Sequence, residues 1–437
     1  MGTTVDDNQR QTFIHLIHSG KTVSQATQEV GRARSWGYKW KVGYEQEGWA
    51  GLKERSRAPH HVARKTPPLV RQEILRVRSE LEAEARERDK LGYIGANAIY
   101  GRLSARNIQP LPGVSTIERL LRQAGMTKPR PPAVPQEVDY PHLQPTTAHQ
   151  LTQVDIVPHY LSGGESIACF NSIDVVSRYP VGKQFQSKSS AHALDFLVHT
   201  WREMGLSAYL QMDNESCFSG GYKHPGVIGK VVRLALLVGV EPVFSPFYHP
   251  ESNGVVERFH QDYSEFVWTK AYLENLAAVH QRSALFFPTY RTSRHHSALG
   301  GQSPLMVHTA EPRRTLPADF SLPAKLPITA GQVHFIRAVD QQRQVLILNK
   351  TWSAGLGLPD QGVWATLFLA PQGTTLRIYD AAPDAPKRRC LAVHPFPLQE
   401  LVVPLQAPFL PQKAERSWWQ AILDLFKRPR LAPSTMS

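Results

Sequence analysis

Apolar positions change period twice along this chain. Between residues 7 and 50 they fall at helical spacing. Phe13, Ile14, Leu16 and Ile17 mark one face of a helix that stops at Gly20. A short helix, a turn at Gly31 and a second helix carrying Trp36 and Trp40 follow. Arg32, Arg34, Lys39 and Lys41 surround that second helix, as the basic and polar residues of a recognition helix do in a DNA major groove. Residues 1–62 therefore read as a helix-turn-helix domain, although the same pattern would serve a three-helix core with no DNA role.

A charged helix, roughly Leu69 to Asp89, opens a second unit over 63–127, expected to be a winged-type helix-turn-helix. Its further helices are GANAIYGRLSARN and VSTIERLLRQAGM. In the latter, Ser115 and Glu118 predict a capping box, Gly125 the stop, and Arg119 and Arg122 further DNA contacts. The proline-rich, basic stretch that begins TKPRPPAVPQ predicts a semi-rigid linker over 128–147.

From residue 148 the period shortens to that of strands. QLTQVDIVPHYL, SIACFNSIDVVSRY and PVGKQFQ are rich in β-branched and aromatic residues. A helix (AHALDFLVHTWREMG), a strand (AYLQMD), a helix (IGKVVRLALLVG), a strand (EPVFS) and a long helix to about Arg282 follow. This order predicts an α/β sheet covered on both faces over 148–310. Four short strands, GQVHFIRAVD, RQVLILN, VWATLFLA and TTLRIYD, then predict a small β-barrel over 326–405. Over 412–430 an amphipathic helix places Trp418, Ile422, Leu425 and Phe426 on one face, to pack on that barrel or to dock a partner. The expected fold class is multidomain: all-α, then α/β, then a small barrel.

Charge sharpens this picture. The net charge of +13 over 437 residues divides into +10 for residues 1–130, −3 for 131–310 and +6 for 311–437. Basic ends suit a polyanion such as DNA, and an acidic middle suits metal ions. Three cysteines far apart (Cys169, Cys217 and Cys390) form neither a disulfide framework nor a zinc pair, which fits a reducing compartment. The longest apolar run is too short to span a membrane, so a soluble, cytoplasmic protein is expected.

Three carboxylates stand out by position. Asp155 lies inside an apolar strand, where an ionised group is costly unless it is paired or binds a metal. Asp213 ends another strand, and Glu257 opens the helix after the loop FYHPESNG. Singly, each also suits a strand end or a helix first turn. Together they offer what phosphoryl transfer requires: ligands for two Mg²⁺ or Mn²⁺ ions, Asp155 bridging, with Asp213 on one ion and Glu257 on the other. Pro250, Ser252, Asn253 and Gly254 predict a hinge that closes Glu257 onto the site.

The segments VDIVPHY, IDVVSRYPVGKQF, QMDNESCF and FSPFYHPESNGVVERFH resemble the catalytic core of the retroviral-integrase superfamily, in its bacterial insertion-sequence DDE transposase form. YRTSRHHSALGGQSPLMVH is similar to the segment that closes that core. The resemblance implies an RNase H-like fold and a D-D-E metal site at Asp155, Asp213 and Glu257. It further implies Mg²⁺-dependent cleavage that frees 3′-OH ends of a mobile element, and strand transfer by a homo-multimer on element ends and target DNA. Asp213 and Glu257 are 44 residues apart, more than is usual in the family, with SGGYKHPGVIG as the insertion. Glu215 stands where the family has glycine, and Ser264 where it has a basic residue; Lys270 comes later. Two further readings stay open. One is a non-catalytic DNA-binding regulator or captured transposase remnant; the other is a transposase whose C-terminal tail engages a target-selecting ATPase. A prokaryotic cytoplasm, with the protein nucleoid-associated when bound to DNA, is the expected setting.

Overall fold

The computed structural model describes residues 5–53, 66–87, 92–127, 138–220, 225–247 and 249–409. The expected amphipathic helix at 412–430 and residues 128–137 of the expected linker lie outside them. The chain divides into two compact units, Met1–Pro67 and Pro68–Ser437.

The first unit is three helices, α1 (Val5–His18), α2 (Val23–Glu29) and α3 (Arg34–Glu47). Thr22 and Gln25 form a capping box that starts α2. Phe13, Ile14, Ala26 and Trp40 are its core. Arg10 is buried, donates to the Leu52 carbonyl at 3.1 Å and lies 4.0 Å over the Trp40 ring.

The second unit opens with α4 (Pro68–Glu84), α5 (Ala96–Ala105) and α6 (Val114–Gln123), packed on Ile74, Ile99, Leu103 and Ile117. No strand, and so no wing, occurs among the described residues of 66–127. The capping box expected at Ser115 and Glu118 does not form. Gly113 caps α6, because Val114 packs on the same apolar cluster as Ile117 and is drawn into the first turn. Gly125 ends this helix as expected, at φ +71°.

The α/β region follows as β1 (Leu151–Tyr160), β2 (Ser166–Asp174), β3 (Pro180–Phe185), α7 (Ser190–Glu203), β4 (Tyr209–Met212), α8 (Ser216–Ser219), α9 (Lys230–Leu237) and β5 (Glu241–Phe244). Then come α10 (Gly254–Tyr263), α11 (Leu276–Ser293) and α12 (Pro304–Ala310). The long helix expected to run to Arg282 is therefore broken. A wide π turn over Ser264–Thr269 follows α10, and Asn275 caps α11 by accepting from Ala278 N–H at 2.9 Å. Buried Arg282 reaches back to donate to the Phe266 carbonyl at 3.2 Å.

The remaining strands are β6 (Ile328–Thr329), β7 (Gly331–Ala338), β8 (Gln344–Ile347), β9 (Lys350–Ser353), β10 (Gly362–Ala370), β11 (Gly373–Tyr379), β12 (Cys390–Pro395) and β13 (Val402–Val403). The expected small barrel is not what they build. Instead β7, β10, β11 and β12 continue the core's own sheet into one open nine-stranded sheet, ordered β12-β11-β10-β7-β5-β4-β1-β2-β3, while β6 with β13 and β8 with β9 form two separate two-stranded sheets. The junction is β5 with β7, parallel, where Phe244 pairs with Phe335 and the two rings stack 5.3 Å apart. Val243 and Phe244 are fully buried, so β5 could not remain an open edge, and β7 covers it. Residues 138–147, expected as linker, also pack on the sheet: Leu143 is buried with Val243, Ile336 and Trp364.

Candidate active site

Asp155 and Asp213 stand at neighbouring places in the sheet because β1 and β4 run parallel, with Val154 beside Met212. Glu257 lies in the first turn of α10, which packs on β1 and β2. All three are partly buried. Burial pushes the Asp155 carboxyl up to about 7; the nearby charges of Asp213 and Glu257 add to the rise, while the Ile156 N–H, donating at 2.8 Å, opposes it. Burial likewise raises Asp213 to about 6, helped by the charge of Glu215 and opposed by its N–H, which donates to Asp213 Oδ1 at 3.1 Å. Neighbouring carboxylates that resist ionising, chiefly because they are buried, are a donor set that a divalent cation would relieve, and hard oxygens suit Mg²⁺ or Mn²⁺.

Several neighbours of these groups escaped the sequence reading. His260, one turn beyond Glu257 on α10, puts Nδ1 3.6 Å from Asp155 Oδ2. Burial lowers its pKa to about 4, so it is neutral. The i, i+3 spacing from Glu257 was its only signal. Lys188 donates to Glu215 at 2.7 Å, which compensates the extra negative charge beside Asp213. Ser264 meets His159 Nε2 at 3.3 Å, and His159 stacks on Trp268. Lys270 instead donates to the Ala85 carbonyl at 2.8 Å, tying the helical segment to the core.

The loop before Glu257 is a pinned turn rather than a free hinge. Gln211 Nε2 donates to the Ser252 carbonyl (2.8 Å), Asn253 Oδ1 (3.1 Å) and Ser245 Oγ (3.1 Å). Gln153 Nε2 donates to the same Ser252 carbonyl at 3.0 Å, and Gln153 Oε1 accepts from Val256 N–H at 3.3 Å. Asn253 is buried accordingly.

Among the candidate DNA contacts, Arg34 is exposed at the start of α3, and Arg119 and Arg122 are exposed on α6. Lys39 lies 4.6 Å over the Trp40 ring, and Lys41 is 3.6 Å from Glu45. Arg32 donates through Nε and Nη2 to Gln9 Oε1, at 3.0 and 2.6 Å.

His149, Asp174 and His308 also bring ligand-type atoms within 4.8 Å of one another. Asp174 already accepts from the backbone N–H groups of His149, Val176 and Ser177 and from the Ser177 hydroxyl. The His308 ring meets the Ser177 hydroxyl and the Met204 carbonyl, each at 3.0 Å. Atoms so engaged make a structural knot that locks α12 to the turn after β2. No helix among the described residues is long and apolar enough to cross a membrane.

Residues 238–304 match the integrase core domain family, and residues 9–60 match a helix-turn-helix domain family. The first stretch contains Glu257; Asp155 and Asp213 precede it. Similar solved structures include the HTLV-2 integrase catalytic core domain in complex with magnesium, at 11% identity and TM-score 0.29, covering 38% of this chain and 99% of that one. The simian T-cell lymphotropic virus intasome in complex with PP2A regulatory subunit B56 gamma matches at 13% and 0.32, covering 70% and 98%. The BIV integrase catalytic core domain matches at 18% and 0.29, covering 37% and 95%. The chain thus combines a stretch similar to a helix-turn-helix domain family with one similar to the integrase core domain family, a combination consistent with a DDE transposase.

Proposed function

We propose that this protein is a metal-dependent polynucleotidyl transferase that cleaves the 3′ ends of a mobile DNA element and joins them to target DNA, acting through Asp155, Asp213 and Glu257. The observation that carries the reading is the convergence of three partly buried carboxylates from two neighbouring parallel strands and the first turn of a separate helix; burial first, then the charges of Asp213 and Glu257, raises the Asp155 carboxyl. Two Mg²⁺ ions, when bound, would activate the attacking oxygen and stabilise the leaving one. The chain's part would be to hold the ions, with Asp155 as the shared ligand, Asp213 serving one ion and Glu257 the other. Lys188, paired with Glu215 at the edge of the cluster, balances the local charge.

On this reading residues 1–126 bind the element ends, with Arg32, Arg34, Lys39, Lys41, Arg119 and Arg122 as contacts. Because two ends must be cut and joined together, the working form is a multimer. An ATPase partner, if one is used, would engage the apolar positions Trp418, Ile422, Leu425 and Phe426 of the 412–430 tail. Short duplexes carrying the DNA that flanks the gene on either side provide the test. Asp155→Asn and Glu257→Gln should abolish both cleavage and strand transfer and leave end binding intact; joining activity retained by either variant would sink the assignment.

A further inference from the structure

We propose that Arg337, on the strand that extends the sheet past the core, is a positioning residue of this active site: it fixes Asn214, and with it the turn that presents Asp213. The inference rests on the D-D-E reading above and adds a component that lies outside the matched core stretch, which ends at residue 304.

Arg337 is a charged side chain only 4% exposed. A guanidinium in such surroundings is tolerated when its donors are satisfied, so its hydrogen bonds show what it organises. Nη2 donates to Asn214 Oδ1 at 2.8 Å. Nη1 donates to the carbonyls of Ser245 at 2.9 Å and of Ile336 at 2.7 Å, and Nε to that of Leu346 at 3.0 Å. Asn214 Nδ2 itself donates to the Ser245 carbonyl at 2.8 Å, which closes a triangle between the ends of β4 and β5 and the strand β7. The guanidinium also lies 4.4 Å from the centre of the Phe247 ring, in the segment leading toward Glu257.

Both paths from this triangle lead to carboxylates. Asn214 is the residue after Asp213, and the next N–H, that of Glu215, donates to Asp213 Oδ1. Anchored at both amide atoms, Asn214 restrains the backbone that places the Glu215 N–H against this carboxylate. On the other side, the Ser245 hydroxyl donates to Asn253 Oδ1 at 3.0 Å, in the turn that starts α10. The planar fork of arginine reaches several fixed acceptors at once, which the single ammonium of lysine cannot do. β7 therefore does more than cover the edge of β5: it carries part of the support of the site, so the core is catalytically incomplete without it.

The test uses full-length protein and Mn²⁺, with binding followed by the loss of the free-ion paramagnetic resonance signal and end binding followed in parallel. Arg337→Gln and Asn214→Ala should each weaken Mn²⁺ binding about tenfold or more, with the double variant no worse than the weaker single one. Arg337→Lys should show a similar defect, and end binding should be unchanged in all four variants. A purely structural role would lower the melting temperature of Arg337→Gln and leave its Mn²⁺ affinity unaltered, and that result overturns the proposal. So do additive effects in the double variant. Should Arg337→Gln fail to fold, Asn214→Ala decides alone, and wild-type Mn²⁺ affinity there is also a refutation. Full Mn²⁺ binding by Asp155→Asn would instead remove the metal-site reading itself, and this proposal with it.

Discussion

His260 Nδ1 stands 3.6 Å from Asp155 Oδ2, so the helix that carries Glu257 brings a second side chain beside Asp155 one turn beyond the glutamate. A buried, neutral imidazole there adds no charge to the carboxylate cluster and fills the space beside Asp155 Oδ2. His260→Ala should lower strand transfer about 10- to 100-fold, the usual cost of removing a group that orients a metal ligand. End binding, measured by gel shift, should not change. Full joining activity would mean that the contact is incidental.

Acidity and metal act on the same groups in opposite directions. The Asp155 carboxyl rises from its ordinary 3.8 to about 7 in the folded protein, and Asp213 rises to about 6. The folded state thus holds these protons more tightly than the unfolded state, so the stability they contribute is present at low pH and lost as pH rises through 6 to 7. Without metal, the melting temperature should fall on going from about pH 5 to about pH 8. Mg²⁺ should raise it more at the higher pH, and Asp155→Asn should flatten both trends. Calorimetry that finds the same Mg²⁺ effect at both pH values would count against crowded carboxylates as the cause.

Gln211 holds the turn before Glu257 through three acceptors. Gln211→Ala leaves buried acceptors without this donor and should cost about 1–3 kcal/mol of stability. Amide exchange over residues 249–256 should quicken. Unchanged exchange there would show that the turn does not depend on the glutamine.

In the first unit, α3 approaches α2 so closely that a Cβ at Gly37 would lie 2.3 Å from Thr27 Cγ2 and 3.1 Å from the Phe13 ring. Gly37→Ala should therefore destabilise this unit by about 1–3 kcal/mol. DNA binding by the isolated residues 1–67 should weaken as the helices are forced apart, with helicity at 222 nm reporting the damage. A variant as stable as the parent would refute the close packing.

Much of this molecule was legible in residue order. Helical spacing of Phe13, Ile14, Trp36 and Trp40 located the first unit, and Gly125 its neighbour's last stop. Asp155 stood out because an ionisable group within QVDIV opposes its own surroundings, and Glu257 because it follows a loop and opens an apolar helical face. Arg337 in HFIRAVD gave the same kind of signal as Asp155. Its purpose could not be read there, since its acceptors lie as far away as Asn214.

Periodicity reports which face of an element is apolar, a local property that each segment carries in its own residues. It does not say what the face or edge will meet. The strands after residue 330 have the composition of a small barrel as well as of a sheet extension. The choice between them fell to the exposed edge of β5, whose buried Val243 and Phe244 needed a partner. The break after α10, the failed cap at Ser115 and the pinned turn at Asn253 were settled in the same way, by buried groups seeking contacts from distant segments. Sequence alone thus determined the elements and the chemically costly residues within them. Tertiary structure decided their partners, because burial is a free energy of the whole assembled chain and not of any one stretch.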